Sequence, residues 1–387
     1  MRKDFTSDRS KQIEVSPTML LDAKAKAMIA NGEDVINFSV GELDFPVPDL
    51  VKEEIKKALD ENFTKYTPAG GIPELKEAIC NKLRYENKMN YGLENIVVTT
   101  GAKQALYNAM LATLNEGDEV LIPSPYWVSF PEIVKLAGGV PKMFHNLELN
   151  YYFIHLISPK TKMLILNSPN NPSGEVNGKE TLENIAKIAV EKNILVISDE
   201  IYEKMVYGVS HVSIASLNDD IMNLTITING LSKSCSMTGL RLGYAAANKE
   251  IIAAMTKIQT QSTSSPTSII QKGAVKALTM DQSFLKERVR MLWIRKDEIL
   301  QSLDYMDGID CPDPDGAFYV FPDVSELYNE KVHDSLAFSE YMLEKAKIAI
   351  VPGKPFGDDR CVRISYALPF KKLEEGMFRF KKAIDEM

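Results

Sequence analysis

Cysteine is scarce in this chain of 387 residues, and Cys80, Cys235, Cys311 and Cys361 stand far apart with no C-x-x-C pair. Neither a zinc site nor a disulfide framework is signalled, and all four read as reduced thiols. Histidine is as sparse: His145, His155, His211 and His333 show no H-E-x-x-H or comparable ligand spacing, so no metal is expected. Long apolar runs are missing too. Runs such as MLIL at 163–166 fall far short of the roughly 20 residues that span a bilayer, and MRKDFTSDRSKQIEV at the N-terminus has no apolar signal core. A cytoplasmic location is expected. Positive charge is not in excess: 45 Lys plus Arg face 53 Asp plus Glu, a net charge of −8. That balance argues against nucleic acid and anionic membrane as partners. Low-complexity tracts, repeats and linker-like stretches are absent. An apolar fraction of 45% nevertheless excludes a disordered chain and provides for a sizeable core.

What is there is alternation. Short β-rich runs at Asn95 to Thr100, Glu119 to Pro123, Met163 to Asn167, Ile194 to Ser198, Leu224 to Asn229 and Gly243 to Ala247 are separated mostly by helix-like stretches such as Lys103 to Leu114 and Lys179 to Lys192. Apolar strands alternating with helices predict an α/β fold whose mostly parallel sheet is covered on both faces. After about residue 284 come charged amphipathic stretches (Phe284 to Leu303, and from Asp334 and Lys371) and a short strand at Ala317 to Phe321. This reads as a smaller α+β unit, with which Ala23 to Ala30 and Val35 to Val40 are expected to pack. The expected division is a large domain at 45–284 and a discontinuous small domain at 1–44 and 285–387.

Ligands of open parallel sheets bind beyond the carboxyl ends of the strands. Following each predicted strand are Gly101-Ala102-Lys103, Pro125-Tyr126-Trp127, Asn170-Asn171-Pro172-Ser173-Gly174, Asp199-Glu200-Ile201-Tyr202 and Ser232-Lys233-Ser234. A small-residue turn, an aromatic, an amide, a carboxylate with a phenol, and a lysine therefore meet at one edge. Pyridoxal phosphate needs such a set, having a phosphate, a flat ring, a pyridine nitrogen, a phenolic oxygen and an aldehyde that takes a primary amine.

The motifs YTPAGG (66–71), TGAKQAL (100–106), PSPYW (123–127), NSPNNPSG (167–174), SDEIYE (198–203), NGLSKSCSMTGLRLGY (229–244) and VRISYA (362–367) occur in an order that resembles fold-type I aminotransferases, more narrowly aspartate aminotransferases of subgroup Ib. The resemblance runs from about Val15 to the C-terminus. It implies pyridoxal phosphate as cofactor, amino acids and 2-oxo acids as substrates, and a homodimer. Lys233 matches the Schiff-base lysine and proton shuttle, and Asp199 the partner of the pyridine nitrogen. Asn171 and Tyr202 match donors to the phenolic oxygen, and Trp127 the aromatic over the ring. Gly101, Ala102, Lys103 and Arg241 fall at the phosphate, which Tyr66 is expected to reach in the neighbouring subunit. Arg363 matches the clamp on the substrate α-carboxylate, and Gly41 lies in a loop over the substrate.

No arginine occurs in Gln259 to Ser268, where a better-known subgroup holds the distal carboxylate of dicarboxylic substrates. Lys103, with Ser16 and Thr18, matches the subgroup Ib alternative, so aspartate and 2-oxoglutarate are the expected pair, exchanging an amino group by a ping-pong route. Glu14-Val15-Ser16 lacks the basic residue expected of prephenate users. Leu43, Gly230 and Leu240 depart from the family pattern, Gly230 implying one phosphate contact fewer. The stretch from Asn146 to Lys160 is short for the family. Other amino donors (alanine, aromatic), a C–S β-lyase, and a non-catalytic regulator on this fold are the competing readings. The regulator is disfavoured because Lys233, Asp199, Arg241 and Arg363 are all present and no N-terminal extension could house a DNA-binding module.

Overall fold

A computed structural model describes residues 5–14, 17–146, 149 and 153–387. Its centre is a seven-stranded sheet. In chain order the strands are β1 (Ile96–Thr99), β2 (Glu119–Ser124), β3 (Val140–His145), β4 (Thr161–Asn167), β5 (Leu195–Asp199), β6 (Thr225–Gly230) and β7 (Gly243–Ala246). They lie side by side in the order β1-β7-β6-β5-β4-β2-β3. Only β7 runs antiparallel to its neighbours, pairing so with both β1 and β6.

The strand sequences explain the layers. Successive side chains point to opposite faces, and a sheet covered on both sides needs apolar residues on each. Val97, Val120, Ile122, Met163, Ile165 and Ile197 enter one core, with Leu106 and Ala109 of helix α1 (Ala102–Thr113). Leu121, Leu164, Leu166 and Val196 enter the opposite core with Leu182, Ile185 and Ala189 of helix α2 (Lys179–Lys192), while Ile96 and Val98 join a third cluster with Tyr244. The edge strand β3 was not anticipated. Its residues are mostly exposed, and Pro141 within it suits a strand with one free edge.

The C-terminal part carries helices α3 (Ser283–Asp304) and α4 (Phe370–Asp385) and a three-stranded antiparallel sheet of Tyr319–Val320, Val351–Pro352 and Val362–Ser365. Ile36–Asn37 pairs in parallel with Ile348–Ala349, so the N-terminal apolar run joins this part and not the main sheet, as expected. One large core joins Ile36, Phe38, Leu292, Phe318, Val320, Ile364 and Phe380 to Tyr202 and Met205 from beyond β5. Among the described residues no helix is long and apolar enough to cross a membrane.

Candidate active site

The carboxyl ends of the parallel strands open into a cavity of about 510 Å³. Gathered on its wall are Gly41, Ala102, Lys103, Trp127, Asn171, Asp199, Tyr202, Lys233, Arg241 and Arg363. The connections responsible are short: α1 starts one residue after Gly101, and Asp199 ends β5.

Gly101 has φ +86°, a conformation that glycine adopts freely, and a Cβ there would come 2.6 Å from Arg241 Nη2. A Cβ on Gly243 would strike the amide nitrogen of Ala102. These two glycines therefore let the N-terminus of α1 and the Arg241 guanidinium approach one another. Arg241 itself is oriented by Nη1, which donates to Thr238 O at 2.8 Å. A helix N-terminus beside a guanidinium stabilises a phosphate group. Gly230 is explained by crowding, since a Cβ there would lie 3.0 Å from Gly243 Cα and from Leu242 O.

Asp199 is 4% exposed, and Oδ1 accepts one backbone hydrogen bond, from Ile201 N at 3.3 Å. Burial, with the charge of Glu200 adding, pushes its carboxyl up to about 7. A buried carboxylate so weakly partnered calls for a cationic donor, and a protonated pyridine nitrogen is one. Burial, with the charge of Arg363 adding, pulls the Lys233 amine down to about 8. Its Nζ donates to Gly41 O and stands 5.6 Å from the centre of the Tyr202 ring. The Tyr202 hydroxyl meets that of Tyr319 at 3.0 Å.

Arg363, on the strand Val362–Ser365, is 5% exposed. Nη1 donates to Asn171 Oδ1 at 3.0 Å and Nη2 to Ser39 O at 2.8 Å. The ring of Tyr319 lies 4.5 Å from Cζ. Its buried Nε has no hydrogen-bond partner, an unspent donor of the kind a ligand carboxylate satisfies. Lys103 Nζ stands 4.8 Å over the Trp127 ring, and burial, with Arg241 adding, lowers its amine. The donor set thus fits pyridoxal phosphate: an anion cradle, a buried carboxylate, two donors for a phenolic oxygen, an aromatic wall and an amine of lowered basicity.

The chain matches the family described as aminotransferase class I and II over residues 33–380. It is 45% identical, over the whole of both chains, to a probable aspartate/prephenate aminotransferase of Aquifex aeolicus. This chain belongs to the class I and II aminotransferases. An aspartate aminotransferase of Bacillus sp. (strain YM-2) is 44% identical over 99% of this chain and 100% of its own. Among solved structures, the aspartate aminotransferase from Rhizobium meliloti superposes with a TM-score of 0.94 at 38% identity, covering 99% of each chain. That from Thermus thermophilus with maleate gives 0.92 at 39%, covering 98% of this chain and 100% of its own. The fold is that of fold-type I, and this aminotransferase is an enzyme dependent on pyridoxal phosphate.

Tyr66 is 93% exposed and lines a separate surface hollow with Lys65, Pro266 and Ser268, away from this chain's own cavity. Ser16 falls outside the described residues, as does the side chain of Thr18. In the other direction, the sequence reading missed Ser39, Asn167 and Tyr319, all on the cavity wall of this aminotransferase. Ser232, named at the strand end beside Lys233 but given no role, is on that wall too. Ser39 and Tyr319 come from segments far from any strand end of the main sheet, and only packing brings them in.

Proposed function

We propose that this aminotransferase exchanges the amino group of L-aspartate with 2-oxoglutarate, and that the cavity residues carry the roles their chemistry suggests. The observation that carries this reading is the pair of cationic side chains on one cavity, Arg363 and Lys103, with Lys233 and Asp199 on the same wall. A dicarboxylic substrate has two anionic ends to satisfy. The maleate that accompanies the Thermus thermophilus enzyme is also a dicarboxylate, and the relatives' names point the same way.

Pyridoxal phosphate, when bound, supplies an electron-accepting ring that takes up the electron pair left when the substrate Cα loses its proton. Asp199 would hold the proton on the ring nitrogen by its charge. Asn171 and Tyr202 would donate to the phenolic oxygen, Trp127 would face the ring, and Ala102 with Arg241 would bind the phosphate. Arg363, with its planar fork, would grip the α-carboxylate and so orient the substrate Cα. Lys233 Nζ, its basicity lowered by burial, would take the Cα proton and return it. Lys103 receives the distal carboxylate.

Glu14, at the position where prephenate users carry a basic residue, favours aspartate over prephenate. Glu14 N donates to Glu132 Oε2 at 3.1 Å, and the other oxygen of Glu132 is ion-paired with Lys135 at 2.8 Å. The division into domains at 45–284 and at 1–44 with 285–387, a cytoplasmic location, and a homodimer in which Tyr66 serves the neighbouring site belong to the same proposal. The exposure of Tyr66 supports the last of these.

The test is the visible spectrum of the protein loaded with pyridoxal phosphate, before and after L-aspartate or L-alanine without an oxo acid. Aspartate should bleach the band far faster than alanine. Equal rates would refute the dicarboxylate assignment, and no band after adding pyridoxal phosphate would refute the site reading.

A further inference from the structure

Behind Asp199 lies a buried set of charges that the roles above leave unused. Glu200 follows Asp199 but lies outside the cavity lining, and it has no solvent exposure. Its Oε1 accepts from Ser198 Oγ at 2.9 Å and from Ser213 Oγ at 2.6 Å. Its Oε2 has no hydrogen bond and stands 3.3 Å from His211 Nε2, at ion-pair distance but out of line for a hydrogen bond. Glu203 is close to both, and the three side chains bring atoms within 4.8 Å of one another.

Glu203 already has a cation. Lys82 Nζ binds it directly, Asn87 Nδ2 donates to it at 2.6 Å, and Lys82 also donates to Asn87 at 2.6 Å. Lys204 adds a more distant positive charge. For Glu200 the basic side chain at ion-pair distance is His211. Tyr91 and Tyr244, both buried, also face Glu200 and bring no positive charge.

Glu203, within 4.8 Å, already has Lys82, and the charge of Glu200 also reaches Asp199, the residue before it in the chain. Two carboxylates close together in a water-poor site cannot both remain ionised cheaply, and one of them binds a proton. Glu200 does push Asp199 in that direction. We propose that His211 is a positioning residue of the cofactor site: as an imidazolium it balances Glu200, so that Asp199 keeps its own charge for the cofactor's ring nitrogen. Burial and the positive charge of Lys82 work against a charged His211, but the contact and charge of Glu200, then the charge of Glu203, outweigh them and hold the imidazole above its ordinary value. The proposal rests on the reading that pyridoxal phosphate binds over Asp199.

The experiment compares the wild type with His211→Gln, Glu200→Gln and the double variant, each loaded with pyridoxal phosphate. The readout is the pH midpoint at which the bound cofactor changes its visible absorbance. Leaving Glu200 unbalanced strengthens the hold on protons throughout the site, so His211→Gln should raise the midpoint by about one pH unit. The double variant, with both charges gone, should return it close to the wild-type value. A merely structural role would not be rescued by a second substitution in the same buried cluster. A midpoint unchanged in His211→Gln, or raised equally in the double variant, overturns the proposal while leaving the cofactor reading intact. A wild type with no visible band overturns both.

Should His211→Gln not fold, the wild type still decides. In nitrogen-15 imidazole spectra, assigned by replacing the other three histidines, His211 must be an imidazolium at pH 7.5 in the loaded enzyme. A neutral ring there overturns the proposal.

Discussion

Replacing Arg363 by lysine keeps a positive charge in the cavity and removes the planar fork. The fork is held from two sides, by Asn171 Oδ1 at 3.0 Å and Ser39 O at 2.8 Å, with the Tyr319 ring 4.5 Å from Cζ. Its Nε makes no hydrogen bond, and each terminal nitrogen has a second hydrogen to offer a carboxylate. One ammonium cannot keep both acceptors and grip a carboxylate in a fixed plane. A hydrogen bond to a charged group contributes about 1.5–3 kcal/mol, so losing one such bond and the orientation of another costs about 2–4 kcal/mol. With a factor of ten per 1.4 kcal/mol, kcat/KM for L-aspartate in Arg363→Lys should fall roughly 30- to 1,000-fold. Steady-state kinetics with 2-oxoglutarate measures this, and titration with pyridoxal phosphate supplies the control, since the phosphate is assigned above to Arg241 and the start of α1. A fall of less than about threefold, or an equal loss of cofactor affinity, would refute the assignment of Arg363 to the substrate.

Lys233 gives a pH prediction: held down at about 8, some one in ten of its side chains is a neutral nucleophile at pH 7, against roughly one in three thousand for an ordinary lysine. The rate at which cofactor-free protein takes up pyridoxal phosphate should rise with pH and level off above about 8; a rise continuing past pH 10 would contradict it. Lys103→Met should lower kcat/KM for aspartate by about 10- to 100-fold and for alanine by less than about threefold, since alanine has no distal carboxylate; parallel losses for both would show that Lys103 does not read the second carboxylate. Lys82→Met should destabilise the fold by about 3–5 kcal/mol by leaving the Glu203 carboxylate buried without its cation. Burial opposes the Glu203 charge, yet Lys82 outweighs it and holds the carboxyl down at about 2, so the stability it contributes is full above the ordinary carboxylate range and is lost as pH falls through about 2. In the variant a proton can neutralise Glu203, so the deficit against wild type, read by urea unfolding, should be largest near neutral pH and shrink toward pH 4.

How much of this was legible in the sequence varies with locality. Helix α2 was bounded correctly at Lys179 and Lys192 because its ends are marked in the chain: Gly178 precedes it, and Asn193 follows in the left-handed conformation. Six of the seven strands were legible because each is a short buried run with apolar residues in one core or in two. Strand β3 was not, because an edge strand with Pro141 and exposed Met143 carries no such signal. The site behaved in the same way. Lys233, Asp199, Asn171 and Trp127 were found because strand ends converge at a place fixed by topology. Tyr319 and Ser39 were not, because tertiary packing alone carries them there. The buried set around Glu200 was invisible for a further reason. Lys82 and Glu203 are separated by 121 residues, and Glu200 and His211, both outside any helix or strand, have no spacing that announces a pair.

The central claim, that this chain is an aspartate-directed aminotransferase, is tested most directly by following the products from L-aspartate and 2-oxoglutarate by NMR. Oxaloacetate and glutamate should appear in equal amounts, without release of ammonia, and both should vanish in Lys233→Ala. Ammonia in place of glutamate, or glutamate formed readily from alanine and hardly from aspartate, would contradict the account.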